Sequence, residues 1–182
     1  MKKNVIITVL LTCCISVAFG QKYLTRTGQI TFFSSTPLEN IEARNNEVAA
    51  IVSQQGDIVF QAPIKSFKFQ KELMQEHFNE EYMESDKYPK ADFKGKIDNL
   101  SSVNFSKDGN YNVKVTGKLT IHGVTKDVSE PGTIIIKGND ITVNSKFSVA
   151  TVDYNIKIPA LMAGKIAKSI EVTVNCILSA VK

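Results

Sequence analysis

Strict alternation is the feature that most restricts this chain. From Tyr111 to Ile121, Val113, Val115, Gly117, Leu119 and Ile121 recur at every second position between polar residues. Period two places such a set on one face of a strand, and no helix can gather it on one side. The pattern returns in Ile30, Phe32 and Ser34, in Val48, Ala50 and Val52, and in Ile58, Phe60, Ala62 and Ile64. It returns again in Ala91, Phe93, Gly95 and Ile97, then in Ile141, Val143, Ser145, Phe147 and Val149, and last in Val172, Val174, Cys176 and Leu178. Gln55-Gly56-Asp57, Asp108-Gly109, His122-Gly123 and Gly138-Asn139-Asp140 supply tight reversals between these runs. Leu38 to Asn46 reads as a loop or a short helical turn, and Val103 with Phe105 as an extension of the strand before them. Glu130-Pro131-Gly132 interrupts the run from Val124 to Lys137. Proline cannot donate to a ladder, so an edge or a bulge is expected there. The total is about eight antiparallel strands. The edges of an open sheet this long invite aggregation, and closure into a barrel removes them, which favours a barrel over a sandwich.

One stretch breaks the pattern. Lys71 to Glu84 spaces Leu73, Met74, Phe78 and Tyr82 as the apolar stripe of an amphipathic helix, with Glu76, Glu80 and Glu84 on the opposite side. Pro89 forces Tyr88 out of helical geometry, so the helix ends before it. A helix inserted into a run of strands reads as a lid on the barrel. A second, shorter helical turn is expected near 160–167, inside the loop from Ile156 to Lys168.

The amino terminus reads as an export signal over residues 1–20: Lys2 and Lys3, then an apolar run from Val5 to Ala18, then Ala18-Phe19-Gly20 as a small-x-small cleavage site. Cys13 and Cys14 raise a lipoprotein signal as the minor alternative; Thr12 stands where such a signal has a small residue. Removing Lys2 and Lys3 lowers the net charge from +4 to +2. That balance gives no support to a nucleic-acid partner. The remaining residues, 21–182, suit one domain with a real core. Cys176 is then the only cysteine, so no internal disulfide can form, and its place in an apolar strand marks a buried thiol.

Chemistry finds little purchase. Glutamates four apart on a helix are a solvated face. His77 and Glu81 offer two metal ligands, short of a zinc set, and the other histidine, His122, lies in a turn. No Gly-x-Ser-x-Gly elbow or phosphate-cradling glycine loop is present. The expectation is a protein without catalytic residues, metal or cofactor. An eight-stranded barrel is either filled by its own side chains or just wide enough for a small ligand. Ala50, Ala62, Ala91, Gly95, Gly117 and Ser145 among the aromatics leave both a solid and a hollow interior open.

Four segments resemble the YceI-like family of exported lipid-binding proteins. They are Gly28-x-Ile30-x-Phe32, Lys87-Tyr88-Pro89-Lys90-Ala91-Asp92-Phe93, Leu119-Thr120-Ile121-His122-Gly123-Val124-Thr125-Lys126, and Asp153-Tyr154-x-Ile156-x-Ile158-Pro159. The resemblance implies an eight-stranded antiparallel lipocalin-like barrel, an exported and periplasmic location, and a pocket for a polyisoprenoid-type amphiphile such as an isoprenoid quinone or polyprenyl lipid. The acidic stretch Glu76 to Glu81 departs from the family's commoner basic or histidine-bearing form. On this reading the apolar pocket draws on Ile30, Phe32, Ile58, Phe60, Leu73, Phe78, Tyr82, Phe93, Phe147 and Tyr154. Lys87, Lys90 and Lys126 are the head-group candidates. A homodimer is compatible with the sequence, and a solid barrel that docks other proteins through its acidic helix is the rival reading.

Overall fold

A computed structural model describes residues 20–181. The signal segment expected over residues 1–20 lies, apart from Gly20, outside the described residues. Nine strands follow: β1 (Lys22–Ser35), β2 (Asn40–Ser53), β3 (Asp57–Pro63), β4 (Lys68–Phe69), β5 (Lys90–Ile97), β6 (Gly109–Ile121), β7 (Val124–Lys137), β8 (Asp140–Ala150) and β9 (Ser169–Val181). The eight long strands hydrogen-bond in the order β1-β9-β8-β7-β6-β5-β3-β2, and β2 returns to β1, so the sheet closes into an antiparallel barrel. β4 adds only a two-residue pairing, Ala43 with Phe69 and Arg44 with Lys68.

Two local expectations are corrected. Leu38 to Asn46 is mostly strand, because Ile41 and Ala43 alternate with Glu42 and Arg44 and pair against β1. Asn45, expected in a turn, is fully buried within β2. Its Nδ2 donates to the Pro63 carbonyl at 2.7 Å, and its Oδ1 accepts from the Glu47 amide at 2.8 Å. Those two bonds meet the requirement that a buried amide be paired. Val103 and Phe105 lie in the β5–β6 connection and extend no strand. They pack up against the core, with the Phe105 ring stacked 5.9 Å from Tyr23.

The barrel has unlike halves. Near the turns at Gly56, Asp108 and Gly138 it is solid: Tyr23, Val52, Ile134, Ile136, Ile141 and Leu178 are almost wholly excluded from solvent. Cys176 is among them. Burial pushes its thiol up to about 11, and the sulfur lies 3.7 Å from the Gln29 carbonyl, the marks of an inert thiol. Gly28 is required beside it, since any Cβ there would run into the Cys176 sulfur.

The opposite half carries the β1–β2 loop, the long β3–β5 crossover, the His122-Gly123 turn and the β8–β9 loop. Here β7 and β8 part. Their ladder joins only Gly132–Lys137 to Asp140–Ser145. Pro131, the next residue of β7, offers no N–H to β8, and its carbonyl is met instead by the Ser145 hydroxyl at 2.7 Å. The edge expected at Pro131 is thus a slot between two strands of an otherwise closed barrel.

Candidate functional site

Two adjacent chambers that share part of their lining occupy this half. The larger, about 240 Å³, lies between the crossover and the β8–β9 loop, walled by Phe32, Ile41, Phe67, Phe78, Ile158 and Ile170 among others. The smaller, about 120 Å³, lies deeper, against Ile58, Phe60, Phe93, Val113, Ile134 and Val143. Ile30, Ala62, Ala91, Leu119 and Phe147 line both, so they form the waist between them. Ala62 and Ala91 face each other across the β3–β5 ladder, and their short side chains keep that waist open. Gly95 and Gly117, also partners across a ladder, contribute no space. The Phe93 ring lies over them, and a Cβ on Gly117 would sit 2.8 Å from the Phe93 Cζ. Those glycines accommodate an aromatic ring, as edge glycines do when an aromatic covers them.

The roof is the crossover helix. α1 (Glu72–His77) runs on as a π-helical stretch, Phe78–Tyr82, with the Met83 amide bonded to the Phe78 carbonyl at 2.9 Å. Five residues separate those two along the chain, a wider turn than the α-helix allows. Met74, His77 and Phe78 face the chamber, and the wider turn brings Met83 as well as Tyr82 onto the same side. Leu73 is left 60% exposed and does not line the cavity. Phe78 is the anchor, packed among Phe32, Phe67 and Phe69 with ring centroids 5.0–5.7 Å apart. Tyr82's hydroxyl is raised above its ordinary range by burial and by the Glu81 carboxylate.

Eight of the ten apolar candidates line the chambers: Ile30, Phe32, Ile58, Phe60, Phe78, Tyr82, Phe93 and Phe147. Tyr154 does not. It is 4% exposed and clusters with Leu119 and Val149, on a turn (Thr151–Tyr154) packed against both β7 and β8. The tyrosine therefore helps close the slot. Burial raises its hydroxyl's pKa, as do the Asp153 and Glu130 carboxylates.

Sequence reasoning passed over Glu130 as part of the Glu130-Pro131-Gly132 interruption in its strand. Its register, opposite Val115, points it into the smaller chamber, where burial lifts its carboxyl above the usual range. No salt bridge reaches it among the described residues. The available signal was parity, since Glu130 falls in step with Val128 and Ile134 once β7 is unbroken. Lys126 has the same parity, opposite Leu119, yet is exposed at the slot. The other head-group candidates sit elsewhere on the rim. Lys87 lies 4.8 Å over the Tyr88 ring and 3.8 Å from Glu84, and the Tyr88 hydroxyl followed by Glu84 raises its ammonium. Lys90 pairs with Asp92 at 3.9 Å.

His122 ties the rim together. Its Nε2 is 2.7 Å from Glu84 Oε2 and its Nδ1 is 3.1 Å from the Tyr154 carbonyl. Both neighbours are acceptors, so a ring nitrogen that carries hydrogen donates to the one it faces. Tyr88 packs edge-on against the imidazole at 4.6 Å, and a Cβ on Gly123 would collide with Tyr88. Three of the sequence landmarks, Tyr88-Pro89, His122-Gly123 and Asp153-Tyr154, meet at this one joint. The model of the YceI-like domain matches residues 17–178. The chain belongs to the YceI-like family.

Solved structures agree on the fold. A polyisoprenoid binding domain from Saccharophagus degradans, implicated in plant cell wall breakdown, superposes with a TM-score of 0.78 at 16% identity, over 89% of this chain and 99% of that one. BcnA of Burkholderia cenocepacia gives 0.69 at 18% identity, over 82% and 95% of the two chains. The YCEI protein of Campylobacter jejuni gives 0.58 at 17%, over 76% and 83%. No curated protein matches the chain in sequence. Among the described residues no helix is long and apolar enough to cross a membrane, and no cluster of three metal-ligating side chains occurs.

Proposed function

We propose that this YceI-like barrel is an exported carrier that holds the tail of a polyisoprenoid-type lipid, a polyprenyl lipid or isoprenoid quinone. The observation that carries this reading is the pair of apolar chambers that share Ile30, Ala62, Ala91, Leu119 and Phe147 as lining. Walls made overwhelmingly of aliphatic and aromatic side chains suit a branched hydrocarbon tail. The Saccharophagus relative, described as polyisoprenoid-binding, supports the ligand class. The signal-like amino terminus supports export to the periplasm.

Energetics favour tail over head. Burying a methylene contributes about 0.8 kcal/mol, so a five-carbon unit offers up to about 4 kcal/mol. Micromolar binding requires about 8 kcal/mol net of several kcal/mol of immobilisation, which a handful of units supplies. A polar head then lies at the rim, where Lys126 at the slot is better placed to meet it than the ion-paired Lys87 and Lys90. The test is organic extraction of the purified protein followed by mass spectrometry, with uptake of a fluorescent polyprenyl probe measured in parallel. A long-chain isoprenoid in the extract, or saturable uptake displaced by one, is expected. A clean extract with no uptake would return the barrel to the rival reading of an interaction protein.

A further inference from the structure

The β8–β9 loop has two different sides. Ile156, Ile158, Met162 and Ile166 face the larger chamber. Lys157, Lys165 and Lys168 are exposed on the other side, with no acidic partner among the described residues. From Tyr154 to Ile170 the chain holds these three lysines and no Asp or Glu. At the loop's tip Leu161 is 90% exposed. Beside it stands Leu38 of the β1–β2 loop, 74% exposed and close enough that a Cβ on Gly164 would lie 3.0 Å from its Cδ1. Scattered exposed apolar residues need no explanation; bare leucines at the tips of two abutting loops, ringed by unpaired lysines at a cavity mouth, do.

We propose that this loop is a docking surface for an anionic lipid bilayer, with Leu161 and Leu38 entering the interface and Lys157, Lys165 and Lys168 meeting the phosphates. Aliphatic side chains with flanking lysines are the two components of interfacial binding, and each lysine near an anionic surface contributes about fivefold in affinity. The glutamates of the crossover helix, Glu72, Glu76, Glu80 and Glu81, are exposed as well. They disfavour an approach through the helix and so fix which side of the mouth meets the membrane. Docking there lays the outer side of the loop against the bilayer and brings the chamber that its inner side walls to the membrane surface, so that a tail moves between membrane and barrel with little exposure to water. The surface itself stands on its own observations; its use in transfer rests on the lipid-carrier reading.

The experiment is sedimentation of the purified protein with sucrose-loaded vesicles, either phosphatidylcholine alone or phosphatidylcholine with phosphatidylglycerol. Uptake of a polyprenyl probe from detergent, with no vesicles present, is measured on the same samples. Wild type is expected to sediment with the anionic vesicles, to be released by high salt, and to stay in the supernatant with the neutral ones. Leu161→Asp is expected to weaken binding by about tenfold or more, and the triple change of Lys157, Lys165 and Lys168 to Gln by on the order of a hundredfold. Melting curves of both variants should match wild type, because all four side chains are solvent-facing. Equal sedimentation of wild type and Leu161→Asp, or no preference for anionic vesicles, would overturn the proposal. Probe uptake without vesicle binding would sink the docking surface and leave the carrier reading intact. Vesicle binding without uptake would do the reverse.

Discussion

Replacing Ala91 by leucine tests the hollow interior from both sides. Ala91 lies at the waist and lines both chambers. Leucine adds three carbons to a space bounded by hydrocarbon, worth about 2.4 kcal/mol at 0.8 kcal/mol each. Fixing the leucine rotamer costs about 0.5–1 kcal/mol. The net expectation is an empty barrel more stable by about 1.5 kcal/mol, which raises the melting temperature by about 3–6 °C for a domain of this size. The same carbons close the passage from the larger chamber to the smaller. A tail that loses half of one isoprene unit's contribution, about 2 kcal/mol, binds about thirtyfold more weakly. Thermal unfolding of delipidated protein and titration with a polyprenyl probe read the two effects separately. A variant that melts lower would show that the waist is already full, since overpacking costs about 1–3 kcal/mol. A variant that melts higher yet binds the probe as well as wild type would show that the tail does not pass Ala91. Either outcome refutes the continuous channel.

Two further perturbations address the polar groups. Glu130→Gln removes a carboxyl whose pKa is raised by burial in the smaller chamber. The folded state holds that proton more tightly than the unfolded, so its contribution is fully present below the ordinary carboxyl value of 4.5 and is lost as pH rises through the raised folded value. Glu130→Gln is therefore expected to be more stable than wild type at pH 7, the gap narrowing as pH falls toward 4.5; a gap independent of pH would sink the argument. His122→Ala deletes the bonds to Glu84 and to the Tyr154 carbonyl. One of them involves a carboxylate, so a loss of about 2 kcal/mol is expected. Hydrogen exchange should show residues 72–85 opening first; a uniform loss of protection would deny His122 its role as the joint.

The strands were legible because a buried face imposes a period of two, and a slip of one residue would turn every side chain around. Val113 to Ile121, Ile141 to Val149 and Val172 to Leu178 therefore carry their own register, and six of the ten pocket candidates came from strand parity and line the chambers. The errors arose where another geometry overrode the pattern. Leu73 was placed on the apolar stripe, but the inward face of α1 runs through Met74, His77 and Phe78, and the π-helical stretch then adds Tyr82 and Met83 to it. Asn45-Asn46 looks like a turn and is strand, because one side chain's two bonds replace what a turn would have supplied. Glu130 was hidden by its neighbour Pro131, whose effect is to end one ladder while β7 itself continues.

The polar and glycine landmarks were legible for a different reason, and they mark the rim rather than the chambers. Tyr88, His122, Gly123 and Tyr154 need particular shapes and hydrogen-bonding groups because they interlock at the rim, two of them through left-handed backbone at His122 and Gly123. The chambers need only apolar volume, which Ile, Val, Leu and Phe supply interchangeably when total volume is kept. A fold fixed by a small polar joint and lined by exchangeable hydrocarbon can keep its shape while most residues change, as the 16% identity and 0.78 TM-score against the Saccharophagus domain illustrate. Ligand preference should then follow the few residues that break the interior's uniformity, here Ala62 and Ala91 at the waist and Glu130 below it. On the lipid-carrier reading, those three positions, more than the polar joint at the rim, would set this barrel's choice of lipid.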